Sequence, residues 1–316
     1  MPTPRLRPRL LYSQLSLLRS RRAFSTSRPF YKLTLAFDKY ESESSKASPE
    51  SSPPAIIFLH GFFGSRKNNR SMSKVLAKQL DRPVYALDLR NHGDSPHDPV
   101  HDYSHLALDV EQFLDEHNLK DSTLIGHSMG AKTAMVVALR SPEKVATLIA
   151  VDNAPVDAAL KTDFGMYIKG MKDIERAKPK KQSEADELLK PYAKVFWPDW
   201  APSDLAVRQF LLTNLIRSED KSHLIWRVPL SYLAANLDDM GDFPYKDPDA
   251  IWYNKPTLFV RGTKSPYVAD EMLPIIGRFF PKFELADIES GHWVISENPE
   301  AFRKAVVEWL QNIESE

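Results

Sequence analysis

The sequence predicts an α/β fold in which a mostly parallel sheet is covered by helices on both faces. Short, continuous apolar runs alternate with amphipathic segments along much of the chain. Apolar runs without an in-out alternation are typical of parallel strands that are buried on both faces. The alternation stops between Pro155 and Asn254 and then resumes. This interruption indicates one sheet domain that carries an insertion.

The predicted elements follow one another as strand, turn and helix. The first strand is expected at an edge of the sheet because its residues alternate between polar and apolar. Ser104 is the predicted N-cap of the second helix. The predicted strands are residues 31–38, 55–59, 84–87, 123–126, 145–151, 257–260 and 283–287. The predicted helices are residues 72–80, 104–118, 130–140, 270–279 and 299–313.

Two further segments complete the predicted domain organisation. Residues 41–54 are a run of Ser, Glu and Pro that cannot bury enough apolar surface to become ordered, so we expect a flexible loop there. Residues 156–254 are rich in helix formers, show no convincing strand, and are expected to form a helical lid over the active site. The predicted core then comprises residues 32–155 and 255–316.

The N-terminus has the composition of a mitochondrial transit peptide. Residues 1–32 contain eight basic residues and no acidic one, with leucines scattered among the arginines. The segment from Arg22 to Ser25 resembles a cleavage site of the matrix protease, and a second trimming step would start the mature chain near Lys32. We therefore expect residues 1–31 to be a transit peptide and the protein to lie in the mitochondrial matrix. A basic tail on a cytosolic protein is the alternative.

Charge and composition exclude several classes of partner. Outside residues 1–32 the chain holds 34 of its 42 basic residues and all 42 acidic residues, a net charge of −8. Nucleic-acid binding needs clustered Lys and Arg, so no nucleic-acid partner is expected. No run approaches the roughly 18 apolar residues that a transmembrane helix needs. The chain has no cysteine, which excludes disulfides, thiolate zinc sites and cysteine nucleophiles.

A G-x-S-x-G motif identifies the candidate nucleophile. Gly126-His127-Ser128-Met129-Gly130 lies between a predicted strand and a predicted helix. In that context a serine sits on a strained turn, and the flanking glycines let neighbouring backbone approach closely. The N-terminus of the following helix favours developing negative charge. Ser128 is therefore the predicted nucleophile, and a tight turn with an inert serine is the alternative.

A histidine near the C-terminus is the candidate general base. His292 follows the last predicted strand and precedes the last predicted helix, so it can reach back to the nucleophile. His60 and His92 lie in His-Gly pairs typical of turns, and a structural role is expected for them. His101 and His105 are four residues apart, but no carboxylate cluster beside them indicates a metal site.

Two backbone amides are the candidate oxyanion hole. The segment His60-Gly61-Phe62-Phe63-Gly64 follows the first buried strand, so the amide of Phe62 can point into the cleft. Together with the amide of Met129 it would hold the oxygen of a tetrahedral intermediate. Loss of one such donor typically costs about 10²–10³ in rate. A glycine-rich loop without a ligand is the alternative.

The acid that orients the base is argued from strand order. Many proteins with this arrangement carry an Asp three residues after the Gly that ends the strand near residue 260, but here that position is Ser265, which cannot hold an imidazolium. Asp152 ends the strand that directly follows the nucleophile helix. Consecutive parallel strands joined by one helix usually pair, roughly 4.8 Å apart, so Asp152 should lie beside Ser128. Asp270 is the alternative acid, and a capping role is the alternative for Asp152.

The motifs in combination resemble a known family. They are similar to the mitochondrial α/β-hydrolase family that includes α/β-hydrolase domain-containing protein 11, small bacterial esterases and the yeast ethanol acetyltransferases. The resemblance extends from about Tyr31 to Leu310. It departs at the insertion 41–54 and at Asn153, where an aliphatic residue is expected. The segments that carry it are Phe58–Ser65, Asp88–His97, Gly126–Met135, Val151–Val156, Arg208–Leu215 and Gly291–Trp293.

The resemblance implies a fold, an acid and a reaction. The fold would be that of the α/β hydrolases, with an eight-stranded sheet and a helical lid insertion. The family's acid is the Asp of a Val-Asp-x-x-Pro segment, which matches Asp152. The reaction would be acyl transfer through Ser128 on a small ester or thioester substrate, without a cofactor or metal.

Three functions remain open on the sequence alone. A serine esterase or thioesterase for short acyl groups is the first interpretation. An alcohol O-acetyltransferase that makes acetate esters from acetyl-CoA and a small alcohol such as ethanol is the alternative, since both reactions use the same residues. A non-catalytic protein that binds a partner in the matrix is the second alternative.

Overall fold

A computed structural model describes residues 33–43, 53–158, 163–193 and 204–315 of the chain. The predicted transit peptide at residues 1–31 lies outside the described residues, as does most of the predicted loop at residues 41–54. The described strands are β1 (Phe37–Tyr40), β2 (Ile56–Leu59), β3 (Val84–Leu87), β4 (Ser122–His127), β5 (Val145–Val151), β6 (Leu215–Arg217), β7 (Leu224–Trp226), β8 (Thr257–Gly262) and β9 (Phe283–Ile288).

The described helices alternate with most of these strands. Two short 3₁₀ helices, Arg66–Asn69 and Asp270–Met272, precede the first and ninth α-helices. None of the helices in the described ranges combines the length and apolarity that crossing a bilayer requires. The α-helices are α1 (Arg70–Leu80), α2 (Tyr103–Glu116), α3 (Met129–Arg140), α4 (Asp163–Ala177), α5 (Gln182–Ala193), α6 (Asp204–Leu212), α7 (Leu230–Ala235), α8 (Leu237–Gly241), α9 (Leu273–Phe279), α10 (Val294–Glu297) and α11 (Pro299–Ser315).

The main sheet is mostly parallel, as predicted, but it has seven strands in the described residues and not eight. Its order is β1-β3-β2-β4-β5-β8-β9, and β1 alone runs antiparallel to its neighbour. The edge strand begins at Phe37, later than the predicted segment 31–38. The reason lies in Ala36, whose N–H donates to Ser95 Oγ and whose carbonyl accepts from the Asp88 amide. Ala36 therefore docks on the loop after β3, and residues 33–36 are not part of the strand.

Helices cover both faces of the sheet because successive side chains of each strand point to opposite faces. In β2, Ile57 and Leu59 belong to one apolar cluster, whereas Ile56 and Phe58 belong to another. The first cluster contains residues of α2, α3 and α9, and the second contains residues of α1 and α11. The prediction of a sheet buried on both faces is thus confirmed.

The segment between β5 and β8 is helical but also contains strands. Helices α4 to α8 lie there, together with the two-stranded antiparallel sheet of β6 and β7. The sequence analysis predicts no strand in this segment, and this prediction is wrong. Each strand has three residues, too few for a period-of-two pattern to be recognised. Trp226 at the end of β7 donates its indole N–H to the Met171 carbonyl of α4 at 2.7 Å, so the small sheet packs on that helix.

The start of α2 also differs from the prediction. The N-cap is Asp102, whose carboxylate accepts the His105 amide at 2.9 Å. Ser104, the predicted N-cap, lies inside the first turn. Both residue types are favoured N-caps, so sequence alone could not choose between two candidates that lie two residues apart.

Candidate active site

The turn between β4 and α3 carries Ser128 in a strained conformation. Its φ and ψ are 54° and −113°, a region that costs a non-glycine residue energy. A Cβ on Gly126 would lie 2.1 Å from the Gly130 carbonyl oxygen, and a Cβ on Gly130 would lie 2.5 Å from the Leu59 carbonyl oxygen. Only glycine fits at either position. The two glycines of the motif therefore permit the tight turn that holds the serine at the start of α3.

His292 joins this serine to a carboxylate. Its Nε2 lies 2.9 Å from Ser128 Oγ, and its Nδ1 lies 2.7 Å from Asp152 Oδ2. A carboxylate only accepts hydrogen bonds, so Nδ1 carries the proton and Nε2 presents a lone pair to the serine hydroxyl. The imidazole also stacks on Tyr267, with ring centroids 4.2 Å apart. The ring is thus oriented by contacts on its face and at Nδ1.

Asp152 occupies the position that strand order predicts. It follows β5, which pairs with β4 on one side and with β8 on the other, and it is fully buried. Besides the His292 bond, its carboxylate accepts the Gly262 amide at 3.0 Å and the Ser265 hydroxyl. Buried charge is tolerated only when it is hydrogen-bonded, and three donors meet that need here. The structure thus brings together the three side chains that the sequence analysis selected.

The alternative acid, Asp270, lies outside this hydrogen-bond network. Its carboxylate pairs with Arg261, and its side chain is 79% exposed. The sequence analysis missed the role of Ser265. It treats this residue only as a replacement for the acid, whereas in the structure its hydroxyl donates a hydrogen bond to the acid. Its position three residues after Gly262 was the available signal.

Phe62 and Met129, the residues of the predicted oxyanion hole, lie beside Ser128. Both residues line the same pocket as Ser128, and neither amide donates a hydrogen bond to another residue in the described part of the chain. Met129 is the first residue of α3, where a helix leaves its N–H groups unpaired. Two unpaired donors of buried residues beside a serine hydroxyl are suited to hold an oxyanion.

Two buried histidines brace the loop that contains Phe62. His60 accepts the Leu89 amide and donates to the Gly61 carbonyl, while His92 accepts the Phe63 amide at 3.1 Å and donates to the Arg90 carbonyl. Burial lowers the pKa of His60 to about 4 and that of His92 to about 3, so both are neutral at physiological pH. These contacts fit the structural role that was expected for them.

His127 is a second residue that the sequence analysis did not select. Its Nε2 donates to the His292 carbonyl oxygen at 2.8 Å, and burial lowers the pKa of its imidazole to about 4. The neutral ring thus fixes the backbone of His292 while leaving its side chain in reach of Ser128. Its position next to Ser128 was the available signal for His127, although the G-x-S-x-G motif accepts any residue there.

Two cavities meet at Ser128. The first, here called the inner pocket, is lined by Ser128, Met129, Lys132, Tyr103, Asn153 and Met240, among others. The second, here called the outer groove, is lined by Ser128, His292, Trp293 and apolar side chains of α4 and α6, among them Tyr167, Phe210 and Leu211. The empty space, open mouths included, is about 330 Å³ for the inner pocket and about 620 Å³ for the outer groove.

Comparison with known proteins agrees with this arrangement. The sequence profile of the α/β-hydrolase fold family matches residues 54–299. A probable alcohol acetyltransferase of Saccharomyces cerevisiae is 39% identical over 298 residues, which cover 89% of this chain and 84% of that protein. The sn-1-specific diacylglycerol lipase ABHD11 of Mus musculus is 38% identical over 260 residues, 81% of each chain.

A solved structure is similar as well. An esterase of a marine microorganism superposes with a TM-score of 0.77 at 30% identity, and the match covers 88% of this chain and 99% of that one. These relatives include the groups that the motifs resemble. The chain therefore belongs to the α/β-hydrolase fold family.

Proposed function

We propose that the chain is a serine hydrolase that cleaves short-chain carboxylic esters or thioesters through an acyl-serine intermediate. Membership of the α/β-hydrolase family, with lipase and esterase relatives, supports a hydrolytic enzyme. The observation that carries the mechanism is the unbroken hydrogen-bond chain from Ser128 through His292 to Asp152. In the proposal these residues are nucleophile, general base and orienting acid.

The first half-reaction forms the acyl-enzyme. His292 Nε2 takes the proton of the Ser128 hydroxyl while Oγ bonds to the carbonyl carbon, and the π electrons move onto the carbonyl oxygen. The amides of Phe62 and Met129 donate to this oxyanion. When the carbonyl re-forms, the bond to the leaving oxygen or sulfur breaks, and His292 returns its proton to the leaving atom.

The second half-reaction releases the acyl group. Water gives a proton to His292 Nε2 and attacks the acyl-serine carbonyl, and the same two amides hold the oxyanion. The bond to Ser128 Oγ then breaks, and the serine recovers its proton from His292. The products are a carboxylic acid and the free enzyme.

The position of His292 supports an assignment of the two cavities within this proposal. The leaving atom must lie within hydrogen-bond reach of Nε2, and His292 lines the outer groove. The leaving alcohol or thiol therefore belongs in the outer groove, and the acyl group belongs in the smaller inner pocket. Because α4 and α6 supply apolar walls of the outer groove, we propose that the segment 156–254 acts as a lid.

An alcohol O-acetyltransferase is the second candidate. It is favoured by the 39% identity to a probable alcohol acetyltransferase and by the apolar walls of the outer groove, which would hold a small alcohol and disfavour water. The first half-reaction is unchanged with acetyl-CoA as donor. An alcohol then replaces water in the second half-reaction, and the product is an acetate ester.

One assay tests both candidates. Residues 32–316 and the Ser128→Ala variant are given acetyl-CoA with and without ethanol, and acetate and ethyl acetate are quantified. Acetate that depends on Ser128 supports the hydrolase. Ethyl acetate in excess of acetate makes the chain an acetyltransferase. If neither product forms and short esters are also left intact, both candidates are wrong.

A further inference from the structure

A lysine is buried one helical turn after the nucleophile. Lys132 lies on α3 and its side chain is 2% exposed. Its ammonium donates to the Gly241 carbonyl oxygen at 3.0 Å, lies 3.5 Å from the Asp242 carbonyl oxygen, and sits over the Tyr103 ring, 5.4 Å from its centroid. A lysine is seldom buried unless it is paired, so its surroundings need an explanation.

The charge of Lys132 is not neutralised by a direct partner. Among the described residues no carboxylate forms an ion pair with its ammonium; the nearby Asp157 and Asp242 pair with Lys246. Burial lowers the pKa of Lys132 to about 8, although the two carboxylates raise it from a distance. An ammonium has three N–H donors, and two carbonyl oxygens are the hydrogen-bond acceptors that the described residues supply. The described residues offer the third donor no oxygen or nitrogen acceptor, and the Tyr103 ring is its other neighbour.

Lys132 lines the cavity in which the acyl group is expected. The inner pocket contains Ser128, Met129 and Lys132, and His292 is not among its lining residues. Because Ser128 and Lys132 line the same pocket, an acyl group that is bound to Ser128 and extends into this pocket lies beside Lys132.

We propose that Lys132 donates a hydrogen bond to an oxygen that the acyl group itself carries, a few bonds beyond the scissile carbonyl. The substrate class is then short acyl esters or thioesters with a keto or carboxylate oxygen at that position, in preference to plain alkanoyl groups. This inference rests on the proposed function, since it assigns the acyl group to the inner pocket. An oxygen acceptor would supply the partner that the buried ammonium lacks.

The competing explanation is a purely structural lysine. Through Gly241 and Asp242 the ammonium ties α3 to the end of α8, and that role would not affect the choice of acyl group. Lys255 offers a matched control because its ammonium also donates to two backbone carbonyls, those of Pro142 and Val145, yet it does not line either cavity at Ser128.

The test compares three thioesters of N-acetylcysteamine with acyl groups of equal size: 3-methylbutanoyl, 3-oxobutanoyl and malonyl. Thiol release is followed with a thiol reagent, which does not react with a chain that has no cysteine. We expect kcat/KM of the wild-type enzyme to be at least about tenfold higher for an oxygen-bearing acyl group, the effect of one hydrogen bond to a charged donor. Malonyl above 3-oxobutanoyl indicates an anionic substrate, and the reverse order indicates a neutral one.

Variants separate recognition from structure. Lys132→Met and Lys132→Gln should lose the preference, whereas Lys255→Met should keep it. Equal kcat/KM for the three thioesters in the wild-type enzyme overturns the proposal without any variant, and so does a Lys132→Met enzyme that retains the preference. If no thioester is cleaved, calorimetric binding of the same thioesters to Ser128→Ala separates the two ideas. Tighter binding of an oxygen-bearing thioester then supports the role of Lys132, although the proposed hydrolysis fails. Equal binding of the three thioesters overturns the role of Lys132.

Discussion

At the residue scale, Asp152 is fully buried, and its carboxylate accepts a hydrogen bond from His292. Asp152→Asn keeps the shape of the side chain but removes the charge that faces a developing imidazolium. It also offers an amide where the carboxylate accepts the His292 Nδ1 proton. We expect kcat/KM to fall about 10⁴-fold, as is typical for this change in a Ser-His-Asp site.

Asp270→Asn is the control for this prediction, because Asp270 is exposed and pairs with Arg261. Its kcat/KM should stay within about twofold of the wild-type value, since surface ion pairs contribute little. The assignment of Asp152 as the orienting acid is wrong if the Asp270 variant loses activity and the Asp152 variant does not.

Ser265 should act through Asp152 and not on the substrate. Its hydroxyl donates to Asp152 Oδ2, the same oxygen that accepts from His292. Ser265→Ala removes a hydrogen bond to a charged group, so we expect kcat to fall roughly tenfold with KM nearly unchanged. Steady-state kinetics with one ester separates the two constants. A rise in KM with unchanged kcat would instead assign Ser265 to substrate binding.

The sequence predicts some residues of the site and misses two that contact them. Ser128 and His292 stand in motifs whose local context carries their chemistry, and Asp152 follows from the order of strands. Ser265 and His127 act through partners far away in the chain, a carboxylate 113 residues earlier and a carbonyl 165 residues later. Their positions, three residues after Gly262 and next to Ser128, were the available signals, but they do not name the distant partners, so the sequence analysis missed both.

At the element scale, the turn between β4 and α3 depends on the absence of side chains. Gly130→Ala would place a Cβ 2.5 Å from the Leu59 carbonyl oxygen and 2.7 Å from that of His60. Because backbone must shift to relieve both contacts, we expect a loss of at least about 2 kcal/mol in the free energy of unfolding. Chemical denaturation measures this loss.

Gly165→Ala is the matched control, since a Cβ on this residue of α4 meets nothing within 4 Å. It should stabilise the protein by up to about 1 kcal/mol, because alanine favours helix over glycine. Equal stability of the Gly130 variant and the wild type would contradict the close approach of backbone that defines the turn.

Strands with a continuous apolar run were predictable, whereas very short strands and one helix start were not. The buried strands at residues 84–87 and 145–151 have the predicted bounds, because runs of four or more apolar residues leave little choice. The two three-residue strands β6 and β7 carry too few residues for any period to be recognised. The start of α2 was misplaced because Asp102 and Ser104 are both good N-caps.

At the scale of the whole molecule, we propose that residues 1–31 direct import into mitochondria. A fluorescent protein fused behind these residues should co-localise with mitochondria in yeast. Replacing Arg5, Arg7 and Arg9 by Gln should abolish import, because the basic charge drives it. Residues 32–316 alone should stay outside. A fusion that remains cytosolic would contradict the import proposal and favour the alternative, a basic tail on a cytosolic protein.

The fold class was predictable because it depends on a pattern that extends over the whole chain. Alternating buried strands and amphipathic helices specify a parallel sheet covered on both faces, and the family comparison agrees. The start of the edge strand was not predictable, since it depends on how Ala36 docks on the loop of Asp88 and Ser95, a contact between distant segments. The prediction of eight strands came from the family and not from these residues.

The central claim is that Ser128 is an activated nucleophile, and covalent labelling tests it most directly. The folded chain is treated with a fluorophosphonate, and the adduct is mapped by peptide mass spectrometry, with Ser128→Ala as the control. The account predicts one adduct, on Ser128, and none in the variant. A folded protein without an adduct, or with equal labelling of the variant, would contradict the account and favour a non-catalytic binding protein.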